Sequence, residues 1–188
     1  MKLLEATQIA VELVSKLIPY CDKVEVAGSI RRGKGEVHDI DIVAIPNEDK
    51  IINGGYFGRQ HLVASIAESV APQANGEKIA SFSFKRISVD IYWATPETWG
   101  TLLLIRTGSK EHNINLCTMA RDRGWHLHAS GEGLFDAYGR HVAGDTEEGI
   151  FKALGLPFIP PGQREVRYPA AFRRTTPQAR EKILDITT

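Results

Sequence analysis

Residues 28–43, GSIRRGKGEVHDIDIV, decide the fold of this chain together with a second apolar run, ISVDIYW, at residues 87–93. Side chains at i and i+2 of a strand share a face, so Asp39 and Asp41 project together while Ile40 turns the other way into a core. The two carboxylates then stand about 6–7 Å apart along the strand and repel each other unless a cation lies between them. Asp90 alternates with Val89 and Ile91 in the same manner. If the two runs are neighbouring strands, three carboxylates converge on one spot. Hard oxygen donors of this kind suit Mg²⁺ or Mn²⁺. Two such ions about 3.5–4 Å apart clamp the attacking and leaving oxygens of an in-line phosphoryl displacement. The run VEVA ahead of the segment reads as a strand, and Gly28-Ser29 with Arg31-Arg32 adds the parts that hold a nucleoside triphosphate. Taken singly each part is commonplace: Asp-x-Asp marks many strand ends and solvated turns, and an arginine pair is usually solvated. Their order along the chain carries the reading.

GS-x-RR-G with a downstream D-x-D resembles the signature of the family X DNA polymerases, within the wider polymerase-beta-type nucleotidyltransferase superfamily. Gly-Ser and D-x-D belong to the superfamily; Arg32 and Gly33 narrow the likeness to family X. Two more segments resemble the same family. LLIRTGSKEHN at 103–113 is similar to its palm–thumb junction, and EEGIFKALGLPFIPPGQRE at 147–165 is similar to the end of the polymerase core in bacterial members.

The resemblance implies roles. Asp39 and Asp41 would bridge two Mg²⁺ ions, with Mn²⁺ a possible substitute, and Asp90 would bind the ion that activates a primer 3′-hydroxyl. Ser29 and Arg32 would grip the β- and γ-phosphates, assisted by backbone N–H groups at Gly28-Ser29. In the thumb, Gly108 would let the chain bend close to the sugar, Lys110 would lie over the incoming base, and Asn113 would reach its minor-groove edge. Several positions depart from the pattern. Ile105-Arg106 stands where many relatives carry an aromatic pair beside the sugar, so sugar discrimination is weakened or moved elsewhere. Cys117 and Ser88 each replace an arginine, the second of which orients the third aspartate in some relatives. His38 replaces a small residue next to the triphosphate. From the residues alone, His38 reads equally as a strand-edge side chain, Ile105 as core, and Arg106, Lys110 and Asn113 as surface polar groups.

The implied activity is template-directed DNA synthesis that fills short gaps, with gapped or primer–template DNA and dNTPs as partners and the protein a monomer. The alternatives are a nucleotidyltransferase that works without a template and a non-catalytic nucleic-acid-binding module. All three aspartates speak against the last.

Composition sets the frame. The 188 residues carry 23 basic and 23 acidic side chains, 43% hydrophobic residues and two cysteines. A net charge of zero argues against a protein that coats DNA unspecifically, although residues 164–182 hold six basic groups against two acidic. That stretch is either a phosphate contact or a solvated terminus. Cys21 and Cys117 make neither a disulfide framework nor a zinc cluster, which points to a reducing intracellular compartment. Glu5 and Glu12 interrupt the N-terminal apolar residues, and there is no 18-residue apolar run, so neither a signal peptide nor a membrane span is expected. His126 and His128 alternate in a short strand pattern, and the sequence offers no adjoining Cys or carboxylate to make them a metal pair. Trp93, Trp99 and Trp125 read as core residues.

The expected fold class is α+β: a nucleotidyltransferase palm with a mixed sheet and flanking helices over 1–98, a small α+β thumb lobe over 99–166, and a basic tail over 167–188. The lyase, helix-hairpin-helix and histidinol-phosphatase-like domains of fuller family members are not expected here; the form resembles minimal viral members. The apolar spacing at Leu3, Ala6, Ala10, Leu13 and Leu17 predicts a helix over 3–18 ending at Pro19. Strands are expected at 23–28 and 38–45, a loop at 47–58, a helix at 60–71 and a hairpin at 77–84 and 86–94. A helix capped by Thr95 should run from Pro96 to Arg106. Ser109 should cap the next helix, to about Gly124. Short strands fill 125–143, and a capping box from Asp145 to Glu148 opens a last helix.

Overall fold

The computed structural model describes residues 1–165, and for residues 69–75 the backbone alone. The basic tail expected over 167–188 lies outside the described residues. The chain divides into two units, Met1–Pro96 and Glu97–Thr188.

In the first unit, helix α1 (Leu3–Leu17) buries Ala6, Ile9, Ala10, Leu13 and Leu17, the stripe its spacing predicts. Pro19 does not simply end it: Ile18–Tyr20 tightens into a 3₁₀ turn that delivers the chain to β1 (Cys21–Val26). The one-turn helix α2 (Gly28–Arg31) and β2 (Asp39–Pro46) follow. Then come α3 (Glu48–Asn53), α4 (Arg59–Ile66), β3 (Ser69–Asn75), β4 (Ile79–Phe84) and β5 (Ile87–Trp93). The five strands lie in the order β1-β2-β5-β4-β3. Only β2 and β5 run parallel; the other neighbours are antiparallel. Ile40, Ile42 and Ala44 of β2, Val89 and Ile91 of β5, and Ala80 and Phe82 of β4 share one core with the buried stripe of α1.

Two sequence expectations fail in this unit. The polar, glycine-rich stretch 47–58 contains α3, because Asn47 caps it by accepting a hydrogen bond from Lys50 N, and Glu48 and Asp49 complement its first turn. The helix expected to Ala71 stops at Ile66, and the chain turns into β3 instead. Pro72 sits within that strand. This is tolerable because β3 is the sheet edge and its pairing with β4 is interrupted between Val70 and Asn75.

The second unit holds α5 (Trp99–Thr107), α6 (Lys110–Arg121) and α7 (Glu147–Ala153). Its three-stranded antiparallel sheet, β6-β7-β8, consists of His126–Leu127, Leu134–Phe135 and His141–Ala143. Leu104, Leu116, Leu127, Leu134, Ile150 and Phe151 form its core. Thr98, not Thr95, precedes α5, since the amide of Leu102 bonds back to its carbonyl. Thr146, not Asp145, caps α7 by accepting from Gly149 N at 3.1 Å. Ser109 caps α6 as expected. Trp93 and Trp99 are buried and Trp125 packs against the second core. Among the described residues no helix is long and apolar enough to cross a membrane.

Candidate active site

The parallel register of β2 and β5 places Asp41 opposite Asp90 and Asp39 opposite Ser88. The antiparallel register of β4 and β5 places Ser81 opposite Asp90 and Ser83 opposite Ser88. Register partners share a face, as do residues two apart. One face of the sheet therefore carries two parallel rows, Ser81–Asp90–Asp41 and Ser83–Ser88–Asp39. Strand spacing sets neighbours within a row about 4.8 Å apart and the rows about 6–7 Å apart. Asp39, Ser81, Ser83, Ser88 and Asp90 line a cleft of about 480 Å³. The three aspartates singled out in the sequence thus project together.

Their oxygens do not meet at a point. Asp90 accepts hydrogen bonds from Ser81 Oγ on Oδ1 and from the Tyr92 hydroxyl on Oδ2, the latter at 3.3 Å. Among the described residues no three His, Cys, Asp or Glu side chains are grouped so that they could hold a metal ion as they stand. The donor set is nevertheless that of a hard divalent cation, carboxylates alone on a half-open face.

The turn ahead of β2 is built around Asp41. Gly28 has φ +57, and a Cβ placed on it would stand 2.0 Å from Asp41 Oδ2. Only glycine permits this approach, which brings the start of α2 against the carboxylate. The amide of Ala27 bonds the carbonyl of Asp41 at 2.8 Å and fixes the same contact from the backbone. One residue into α2, Ser29 Oγ is buried with no hydrogen-bond partner within the protein. An unpaired buried hydroxyl is costly, and here it lies at a helix start beside the carboxylates, where an anionic oxygen would satisfy it. Arg32 ends α2 as its half-buried C-cap, and His38 is exposed immediately before β2.

The other sequence candidates belong to the second unit. Gly108, at φ 72, ends α5, and the Gly108–Ser109 peptide is cis. Ile105 is buried in the core, Arg106 is half-buried and Lys110 is exposed. Asn113 Nδ2 donates to the carbonyl of Ile105 at 2.8 Å, while its Oδ1 is buried without a partner. Its amide nitrogen is therefore committed to the backbone, and the oxygen is the atom left for recognition.

Arg164 departs from its reading as part of a basic surface stretch. It is fully buried, donating from Nη1 to Glu147 at 2.7 Å and from Nε to the carbonyl of Ile159 at 2.8 Å. Its own carbonyl accepts from Ser109 Oγ at 2.7 Å, which ties this segment to the α5–α6 turn. His112 lies in the same interior. Burial, and then the charge of Arg164, push its pKa down to about 3. His126 and His128 meet edge to face with ring centres 4.3 Å apart, and His128 faces Glu132, a carboxylate four residues on that the sequence reading passed over. An exposed aromatic pair was also unannounced: Phe57 stacks nearly parallel on His61.

The mixed sheet with its aspartate face and the following α+β unit with a Gly-Ser turn between two helices have counterparts among known proteins. The family described as DNA polymerase beta thumb matches residues 102–165. DNA polymerase/3′-5′ exonuclease PolX of Bacillus subtilis (strain 168) is 29% identical over 162 residues, which is 85% of this chain and 28% of that protein. The chain thus spans less than a third of that relative's length. Leishmania infantum polymerase beta, solved as a ternary P/T complex, shares the fold with a TM-score of 0.68 at 19% identity, over 87% of this chain and 76% of the other. The likeness is thus to DNA polymerases: a thumb family over residues 102–165, a bacterial relative along most of this chain, and a shared fold.

Proposed function

We propose that this chain is a DNA-directed DNA polymerase that adds a deoxynucleotide to a primer 3′-hydroxyl and fills short gaps. The observation that supports it most is the register of β2 and β5, which sets Asp41 beside Asp90 with Asp39 two residues away on the same face. Asp39 and Asp41 would hold two Mg²⁺ or Mn²⁺ ions and Asp90 one of them; when bound, these ions supply charge neutralisation and lower the pKa of the attacking hydroxyl.

The chain's own groups do the rest. Ser29 Oγ donates to a non-bridging phosphate oxygen, and Arg32 neutralises the triphosphate with its planar fork. Asp90 accepts the proton of the 3′-hydroxyl; a carboxylate has about four acceptor sites, so the bonds from Ser81 and Tyr92 leave room for it. The new bond joins O3′ to the α-phosphorus, and pyrophosphate leaves. In the second unit, Ile105, Arg106, Gly108, Lys110 and Asn113 are proposed to contact the sugar and base, with Asn113 acting through Oδ1. His38 is proposed to lie near the phosphates.

Primer extension on a one-nucleotide gapped duplex, with each dNTP supplied singly, tests the proposal. Incorporation only opposite the complementary base is the expected result. Addition of any nucleotide to a single strand would mean template-independent transfer, and DNA binding without incorporation would mean a non-catalytic module. Asp90→Ala should lose at least about 100-fold in turnover, more than altered outer-shell partners usually cost, and still bind dNTP. Extension at the normal rate by this variant would remove Asp90 from the mechanism.

A further inference from the structure

Asp90 has its register neighbour Asp41 on one side and Ser81 on the other. The Ser81 hydroxyl, from β4, donates to Asp90 Oδ1, and the Tyr92 hydroxyl, from β5, donates to Oδ2. Tyr92 lies two residues beyond Asp90 on β5 and is buried, and Ser81 is half-buried. Both donors sit on strands of the central sheet, so neither can move far without breaking the ladder.

We infer that Ser81, seconded by Tyr92, is a positioning residue that fixes the orientation of Asp90 for metal binding; this rests on the reading of Asp90 as a metal ligand. Two hydroxyls orient a carboxylate as a charged partner would, with one difference. They are neutral, so the full negative charge of Asp90 remains available to a cation. Ser88, two residues before Asp90, faces the same cleft with a third hydroxyl, so the surroundings of Asp90 on β4 and β5 are polar without being cationic. Removing an outer-shell partner of a ligand typically costs about 10–100-fold in metal affinity or activity, and Ser81 should fall in that range.

The test reads metal binding directly, by Mn²⁺ titration of the protein under electron paramagnetic resonance, alongside primer extension. Ser81→Ala should weaken Mn²⁺ binding about 10-fold or more. It should lower kcat for extension by a similar factor with KM for dNTP within twofold. Ser81→Thr, which keeps the hydroxyl, should restore both, and Tyr92→Phe should show a smaller loss in the same direction. In an Asp90→Ala background, Ser81→Ala should have no further effect on Mn²⁺ binding, because the two act through one ligand. Wild-type Mn²⁺ affinity in Ser81→Ala, or an undiminished effect of it once Asp90 is gone, overturns the inference. If the Mn²⁺ results hold while the wild-type protein extends no primer, the polymerase reading fails and the role of Ser81 stands.

Discussion

Gly28→Ala isolates the contact on which the site is built. At φ +57 an alanine carries the left-handed penalty of about 1–2 kcal/mol. Its Cβ would also stand 2.0 Å from Asp41 Oδ2 and 2.9 Å from Asp41 Cγ, where ordinary contact begins at 3.4 Å. The carboxylate must therefore retreat by about 1.4 Å, or α2 must lift by as much. A misplacement of about 1 Å costs on the order of 100-fold in rate, equivalent to about 2.7 kcal/mol of barrier. The expected variant is folded, with a Tm lower by about 2–8 °C, and slower in single-turnover gap filling by about 100-fold or more. Circular dichroism melts and rapid-quench extension at saturating dNTP measure the two effects separately. A rate within threefold of wild type, in a protein that melts cooperatively, would refute the claim that Gly28 exists for the approach to Asp41.

Further predictions concern the second unit. Arg164→Met removes the cation that meets the buried carboxylate of Glu147 at 2.7 Å, so urea denaturation should show a loss of about 3–5 kcal/mol; Arg164→Met with Glu147→Gln should recover a substantial part of it, because the carboxylate charge goes with the cation that balanced it. His112 gives a pH signature whose sign is fixed by its depressed folded pKa of about 3 against an ordinary value near 6.5. Between those values the unfolded chain binds the proton and the folded chain does not, so stability is present above about pH 6.5 and is lost as pH falls. Between pH 7 and pH 5 the loss amounts to about 2 kcal/mol from this residue. Denaturation curves of wild type and His112→Gln at the two pH values should differ in their pH dependence by about that amount.

What the sequence could reveal follows from the range of each interaction. The aspartates were legible because the strand period is a local property: alternation with Ile40, Ile42, Val89 and Ile91 needs no knowledge of the rest of the chain. The buried stripe of α1 and the Ser109 cap were legible for the same reason. Arg164 was misread because its partner, Glu147, lies 17 residues away, and a basic residue in a basic stretch carries no mark of burial. Helix α3 was hidden by Gly54-Gly55 behind it, and β3 by Pro72 within it. Ser81 was missed although a signal existed. Lys85 and Arg86, at φ 48 and 65, make a two-residue hairpin turn that pairs Phe84 with Ile87, and counting outward from that turn puts Ser81 opposite Asp90. The turn lacks the Asn-Gly or Asp-Gly that usually announces it, so the hairpin could be placed but its register could not.

Register also explains why the core and the chemistry cannot be separated in this fold. The side-chain period of a strand is two, so a slip of one residue in β5 would carry Asp90 to the buried face and turn Val89 and Ile91 toward water. Each of these two apolar side chains is fully buried, and exposing one costs about 1.5–3 kcal/mol, before the far larger penalty of burying a carboxylate without a partner. In β2, Ile40 and Ile42 hold Asp39 and Asp41 to the open face by the same reasoning. The apolar residues of the first unit are thus the device that aligns three like charges on adjacent strands. No interaction among the aspartates themselves would do so, since each repels the others, and substitutions that loosen the core at Val89 or Ile91 act on the site through register.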